Sequence, residues 1–136
     1  MGRRTHSGAS ERPRVLIVDD SAPMRAVLHQ FCVALSYDVA AEVPTAEAAL
    51  EVLDAHAVDV VICDYRLPRL SGLDLEALVA ERFPDVPLLV LSGDLDLVEE
   101  CRRGFATGSR ARRRALCKPV MLGELGSVLD ALCEGS

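Results

Sequence analysis

An α/β fold, a parallel sheet covered by helices on both faces, is predicted for this chain from three observations. Short β-branched apolar runs alternate five times with segments of helical periodicity. No hairpin signal lies between successive strands, so each strand is joined to the next through a helix. The three strongest runs are VLIVDD (15–20), VDVVICD (58–64) and VPLLVLSG (86–93), and their near-continuous apolarity suits strands buried on both faces.

The elements follow in order. Residues 15–20, bounded by Pro13 and an acidic pair, form a buried strand. Ser21 opens a helix in which Met24, Val27, Leu28, Phe31, Cys32 and Leu35 recur at helical spacing and should face inward. Tyr37–Ala41 is a weaker strand. Thr45 is placed to cap the next helix, whose Leu50 and Leu53 face inward among alanines. After the strand at 58–64, Leu75, Leu78 and Val79 mark a helix that stops before Phe83-Pro84. The strand at 86–93 leads into a helix over DLDLVEECRRGFATG, which ends in glycines. ALCKPV (115–120) is a short strand broken by Pro119, and Leu122, Leu125, Leu129 and Leu132 define the last helix.

Composition narrows the class. At 136 residues the chain is one domain by length, able to bury a core without staples. Half of its residues are hydrophobic and 26% are charged, which excludes a disordered chain. No apolar run approaches the ~18–20 residues of a membrane span, and the basic leader lacks the apolar stretch of a signal peptide. The cysteines at 32, 63, 101, 117 and 133 are odd in number and without metal-ligand spacing, which suits free thiols in a cytoplasmic protein. The net charge of −6 is unevenly spread: residues 1–14 carry +3, residues 15–100 carry −13 and residues 101–136 carry +4. A polar basic tail over 1–14 and a folded domain over 15–134 are therefore expected.

In open α/β sheets ligands bind beyond the carboxyl ends of the strands. The polar residues there are Asp19 and Asp20, Asp64, Ser92 and Lys118. Alone, Asp64 could be a turn residue, a helix cap or a reactive group. Together the three carboxylates repel one another unless a cation sits among them. Mg²⁺ suits them, since it takes one or two carboxylates and prefers phosphate oxygens for its other ligands. A carboxylate is also a nucleophile able to form an aspartyl phosphate. Lys118 could supply charge to phosphoryl oxygens and Ser92 a hydrogen bond, and Gly93 leaves room for a phosphate.

The set DD (19–20), D-x-x-x-P (64–68), SG (92–93) and KP (118–119), in this order, resembles the receiver domains of two-component response regulators over residues 15 to about 133. The resemblance implies a flavodoxin-like doubly wound five-stranded sheet of order 2-1-3-4-5. It implies that Asp64 accepts a phosphoryl group from a histidine kinase or histidine phosphotransfer protein. Asp20 would ligate Mg²⁺ directly beside Asp64, Asp19 through water, and the main-chain carbonyl of Arg66 would complete the protein ligands. Ser92 and Lys118 would contact the phosphoryl oxygens, and Lys118-Pro119 would be a cis bond.

Three features depart from the family pattern. Where receivers usually carry a switch aromatic, three residues before the lysine, this chain has Ala115. The segment GSRARRR (108–114) lengthens the approach to the last strand. Its Arg110, Arg112, Arg113 and Arg114 are expected in a loop, solvated or docking an acidic partner. That loop would adjoin the face receivers commonly use for dimers and targets; nucleic acid is disfavoured by the acidic body of the domain. Arg66 and Asp94 flank the site and are expected to pair across the phosphate.

The expected function is a phosphoacceptor switch that signals by protein binding, as in single-domain response regulators. One alternative is a receiver-like module working without phosphate, which Ala115 favours. A receiver cut from a hybrid kinase or larger regulator is another. A Mg²⁺-dependent phosphohydrolase is a third, disfavoured because Arg66 stands where such enzymes place a second acid.

Overall fold

The structure, a computed structural model, describes residues 12–107 and 112–134. Five strands alternate with five helices: β1 (Arg14–Val18), α1 (Ala22–Ala34), β2 (Asp38–Val43), α2 (Ala46–Ala55), β3 (Val60–Asp64), α3 (Gly72–Arg82), β4 (Leu88–Ser92), α4 (Leu95–Thr107), β5 (Arg113–Cys117) and α5 (Leu122–Glu134). All strand pairs are parallel and the sheet order is β2-β1-β3-β4-β5, the flavodoxin-like arrangement expected. Most of the basic tail (residues 1–11) lies outside the described residues; β1 itself begins at Arg14.

Strand alternation sorts the core into two layers. Leu16, Val18, Val61, Cys63, Leu88, Val90 and Ala115 face α2, α3 and α4, whereas Val15, Ile17, Val60, Ile62, Leu89 and Leu91 face α1 and α5. Each fully buried aliphatic side chain contributes about 1.5–3 kcal/mol. Burial on both faces forbids polar side chains along β1, β3 and β4, so these strands can present polar groups only at their ends.

Local signals set the helix starts. Ser21 and Thr45 accept hydrogen bonds from the amides of Met24 and Ala48, 3.2 and 3.1 Å away. Ser71 and Asp74 form a reciprocal capping box that starts α3. On α1 only part of the expected apolar face turns inward. Leu28 and Cys32 are buried, but Val27 is 44% exposed. The stripe drawn from spacing was one residue too wide, because the helix meets the sheet along a narrower seam.

The arginine-rich segment needs correction. β5 starts two residues earlier than expected, so Arg113 and Arg114 belong to the strand and not to a loop. Arg113 is buried and faces α3. Its Nε lies 3.0 Å from Glu76 Oε2, and its Nη1 donates to the Val86 carbonyl at 3.0 Å. Arg112 is half-buried and donates to the Asp85 carbonyl at 3.0 Å. Arg114 is exposed, and Arg110 lies outside the described residues. A run of arginines resembles a solvated loop in sequence, but the carboxylate that neutralises Arg113 stands 37 positions away.

The Arg113–Glu76 pair joins α3 to β5. Glu76→Ala leaves a buried guanidinium without its carboxylate and should cost about 3–5 kcal/mol in urea unfolding, while the double change Glu76→Leu, Arg113→Met should recover most of that loss.

Candidate functional site

Register brings the strand ends into line. Val18 pairs with Cys63, Asp64 with Leu91, and Ser92 with Cys117, so the residues just beyond these positions share one edge. The amide of Lys118 donates to the Ser92 carbonyl at 2.8 Å, extending the β4–β5 ladder to the lysine. The Lys118-Pro119 bond is cis.

Asp19, Asp20 and Asp64 each turn a carboxylate oxygen to a common point, and these atoms lie within 4.8 Å of one another. Lys118 Nζ is 3.3 Å from Asp64 Oδ2 and 3.6 Å from Asp19 Oδ2. One ammonium thus faces two carboxylates, with a third close by. Asp19 is buried, Asp64 is half-buried, and Asp20 is exposed at the mouth. Asp19 Oδ1 accepts from the Ser21 amide at 2.9 Å, but its buried Oδ2 has no hydrogen-bond partner. Burial pushes the Asp19 carboxyl above the usual carboxylate range, the charges of Asp64 and Asp20 add to this, and the Ser21 amide and Lys118 oppose it.

Such a donor set fits a hard divalent cation. Three carboxylates against one lysine leave negative charge in excess, and the buried Asp19 Oδ2, which Lys118 Nζ faces at 3.6 Å, accepts no hydrogen bond. Oxygen donors of this kind suit Mg²⁺ better than softer metals.

The remaining expected residues fall around this centre. Ser92 is buried at the end of β4, and its Oγ accepts from the Asp94 amide at 3.0 Å. A Cβ added to Gly93 would meet open space. Arg66 is exposed, with its amide 3.4 Å from Asp64 Oδ1. The expected pair between Arg66 and Asp94 does not form. Asp94 Oδ1 instead accepts from the amides of Asp96 and Leu97, at 2.9 and 3.3 Å, and caps α4. Ala115 is buried in β5, three residues before Lys118.

Two contacts escaped the sequence reading. Arg25 reaches back from α1 to donate to the Asp19 carbonyl at 2.6 Å, fixing the β1 end; an arginine one turn past the helix cap was its only signal. Gly72 packs against the acceptor strand so closely that a Cβ there would lie 2.6 Å from the Asp64 carbonyl oxygen and 2.9 Å from Tyr65 Cα. The Gly72 amide also donates to the Tyr65 carbonyl at 2.7 Å. The turn after Asp64 therefore folds back tightly onto its own strand, which only a residue without a side chain allows.

The family model for the response regulator receiver domain matches residues 15–129. The chain belongs to this family. Its receiver domain is 31% identical over 125 residues to the transcriptional regulatory protein PdtaR of Mycobacterium tuberculosis, covering 91% of this chain and 58% of that protein. It is 30% identical over 125 residues to the autoinducer 1 sensor kinase/phosphatase LuxN of Vibrio harveyi, covering 88% of this chain and 13% of that protein. The chain thus spans only part of these relatives. Among solved structures it resembles the signal receiver domain of an HD domain-containing protein from Pseudomonas fluorescens Pf-5, with TM-score 0.77 and 29% identity over 92% of this chain and 97% of that one.

Two outcomes are expected of this receiver domain. Mg²⁺ at about a hundred times its Kd should raise the unfolding free energy by about 2.7 kcal/mol, an effect lost in Asp20→Asn. Gly72→Ala should lower stability by about 1–3 kcal/mol through overpacking against backbone, and its labelling by acetyl phosphate should be slower than wild type.

Proposed function

We propose that this receiver domain is a phosphoacceptor switch in which Asp64 takes a phosphoryl group from a phosphohistidine on a sensor kinase or phosphotransfer protein. The observation that carries this reading is the Lys118 ammonium, 3.3 Å from Asp64 and 3.6 Å from Asp19, inside a cluster of three carboxylates. An Asp64 carboxylate oxygen attacks phosphorus, the phosphorus–nitrogen bond to the donor imidazole breaks, and the leaving imidazole takes up a proton. Asp19, Asp20 and Asp64, with the main-chain carbonyl of Arg66, would hold Mg²⁺. Bound there, the ion would supply positive charge to the phosphoryl oxygens.

The chain's own residues do the rest. Lys118 exchanges part of its pairing with the Asp64 carboxylate for a phosphoryl oxygen, so charge balance survives the transfer. The Ser92 hydroxyl, already accepting from the Asp94 amide, retains its hydrogen to donate. Open space over Gly93 admits the group. Its chemistry is confined to its own phosphorylation and dephosphorylation, and its output is protein binding. The five cysteines are free thiols, which suits a cytoplasmic setting.

A second reading, a module that signals without phosphate, draws support from Ala115, which has no rotamer to respond to the site. One experiment separates the two. Intact mass after incubation with acetyl phosphate should show a single Mg²⁺-dependent phosphoryl adduct on wild type and none on Asp64→Asn. No adduct under any condition would leave the phosphate-independent module.

A further inference from the structure

The turn that follows the acceptor strand is closed on itself. The Tyr65 amide continues the β3–β4 ladder to the Leu91 carbonyl at 2.8 Å, and the Gly72 amide returns to the Tyr65 carbonyl at 2.7 Å. Residues 66–71 lie between these two bonds. Leu67 and Leu70 are half-buried against the core layer that α2 and α3 cover. At the site end of the turn, the Arg66 amide is 3.4 Å from Asp64 Oδ1.

Arg69 is the anomaly of this turn. Its φ is 64°, in the left-handed region that glycine fills without strain and other residues seldom enter. The Leu70 amide donates to the Pro68 carbonyl at 2.7 Å, closing a three-residue turn with the arginine at its centre. Backbone geometry alone would select glycine here. The arginine side chain supplies the reason for its presence, since its Nε donates to Glu47 Oε2 at 3.2 Å. Glu47 stands on a rigid support. It belongs to the first turn of α2, between the fully buried Ala46 and Ala49, and Thr45 caps that turn. Both partners face solvent, so the pair adds little to global stability. Its effect falls on the turn that it tethers.

We propose that Arg69 and Glu47 are positioning residues for the divalent cation: by tethering the turn to α2 they hold the Arg66 main-chain carbonyl in place beside Asp64, and so set the affinity for Mg²⁺. This rests on the Mg²⁺ site of the proposed function, and neither residue belongs to the carboxylate cluster. A carbonyl on an untethered turn must be ordered when the ion binds, whereas a tethered one is ordered beforehand. Charge acts in the opposite direction. Arg69 is a cation near a cation site, so by Coulomb repulsion alone its removal would tighten Mg²⁺ binding. Tethering requires that its removal weaken binding, and the sign of the change tells the two apart.

Isothermal titration calorimetry of the full chain with MgCl₂, without any phosphodonor, reads this affinity. Wild type is compared with Arg69→Gln, Glu47→Gln, the double variant and Arg69→Gly, each checked for native circular dichroism. Each single variant should bind Mg²⁺ about two- to fivefold more weakly, the range that one exposed pair allows. The double variant should bind no more weakly than the worse single. Arg69→Gly relieves the backbone but lacks the side chain, and should show the same loss. At saturating Mg²⁺ the rate of labelling by acetyl phosphate should match wild type in every variant. Arg69→Gln binding Mg²⁺ as tightly as wild type, or more tightly, would overturn the tether, as would losses that add in the double variant. A labelling defect that persists at saturating Mg²⁺ would overturn the assignment to metal affinity. The titration needs no phosphoryl transfer, so failure of the switch appears as an unlabelled wild type and failure of the tether as an unshifted variant. A wild type that takes up no Mg²⁺ would overturn both.

Discussion

The Lys118 ammonium sits 3.3 Å from Asp64 and 3.6 Å from Asp19, and the rest of the site is arranged around its insufficiency. It neutralises one carboxylate where three converge. A fold optimised only for stability would replace one of the acids or bury a second cation. Here the acids stay, and the excess negative charge remains at one end of a sheet whose inner strands β3 and β4 are buried and apolar along their length. The apolar strands hold the carboxylates where repulsion would otherwise separate them. Asp19 shows the strain most clearly. Its backbone is held by Arg25 and one of its oxygens by the Ser21 amide, yet its other oxygen is buried without a hydrogen-bond partner.

Chain order makes this edge legible in the sequence. A parallel sheet puts every carboxyl end on one side, so reading the polar residue after each apolar run is enough to gather Asp19, Asp20, Asp64, Ser92 and Lys118. Helix starts were legible for the same local reason: Ser21 and Thr45 satisfy amides three residues ahead. Interactions between distant elements had no such signature. The arginines at 112–114 resembled a solvated loop because Glu76, the partner that permits Arg113 to enter the core, belongs to α3. Asp94 was expected to reach for Arg66 across the site, but its own helix offered two amides at short range and no ordering of a long side chain. The Val27 error has a geometric origin, since periodicity fixes which residues share a face and not how wide the contact seam is.

The edge strand carries two of the three departures from the family pattern, Ala115 and the end of the arginine run. β5 begins with charged residues where the inner strands β3 and β4 begin with apolar ones, yet it packs because each arginine finds a different solution. Arg113 turns inward to a carboxylate, Arg112 to a carbonyl before β4, and Arg114 outward to an exposed position. Arg102 completes the pattern from α4 by taking the Ala115 carbonyl. These contacts keep the sheet's open edge from offering a row of free carbonyls.

Separate hydrogen bonds tie α4 to β4 and β5. Ser92 Oγ accepts from the Asp94 amide, Asp94 caps α4, Arg102 on that helix holds the Ala115 carbonyl, and β5 returns through Lys118, whose amide donates to the Ser92 carbonyl. The helix is thus tied at its start to the site and at its middle to the strand. Ser92 is the common anchor: its hydroxyl accepts from the turn that starts α4, and its carbonyl accepts from the strand end that carries Lys118. The ammonium that faces Asp19 and Asp64 is therefore positioned by the same residue that fixes the start of α4.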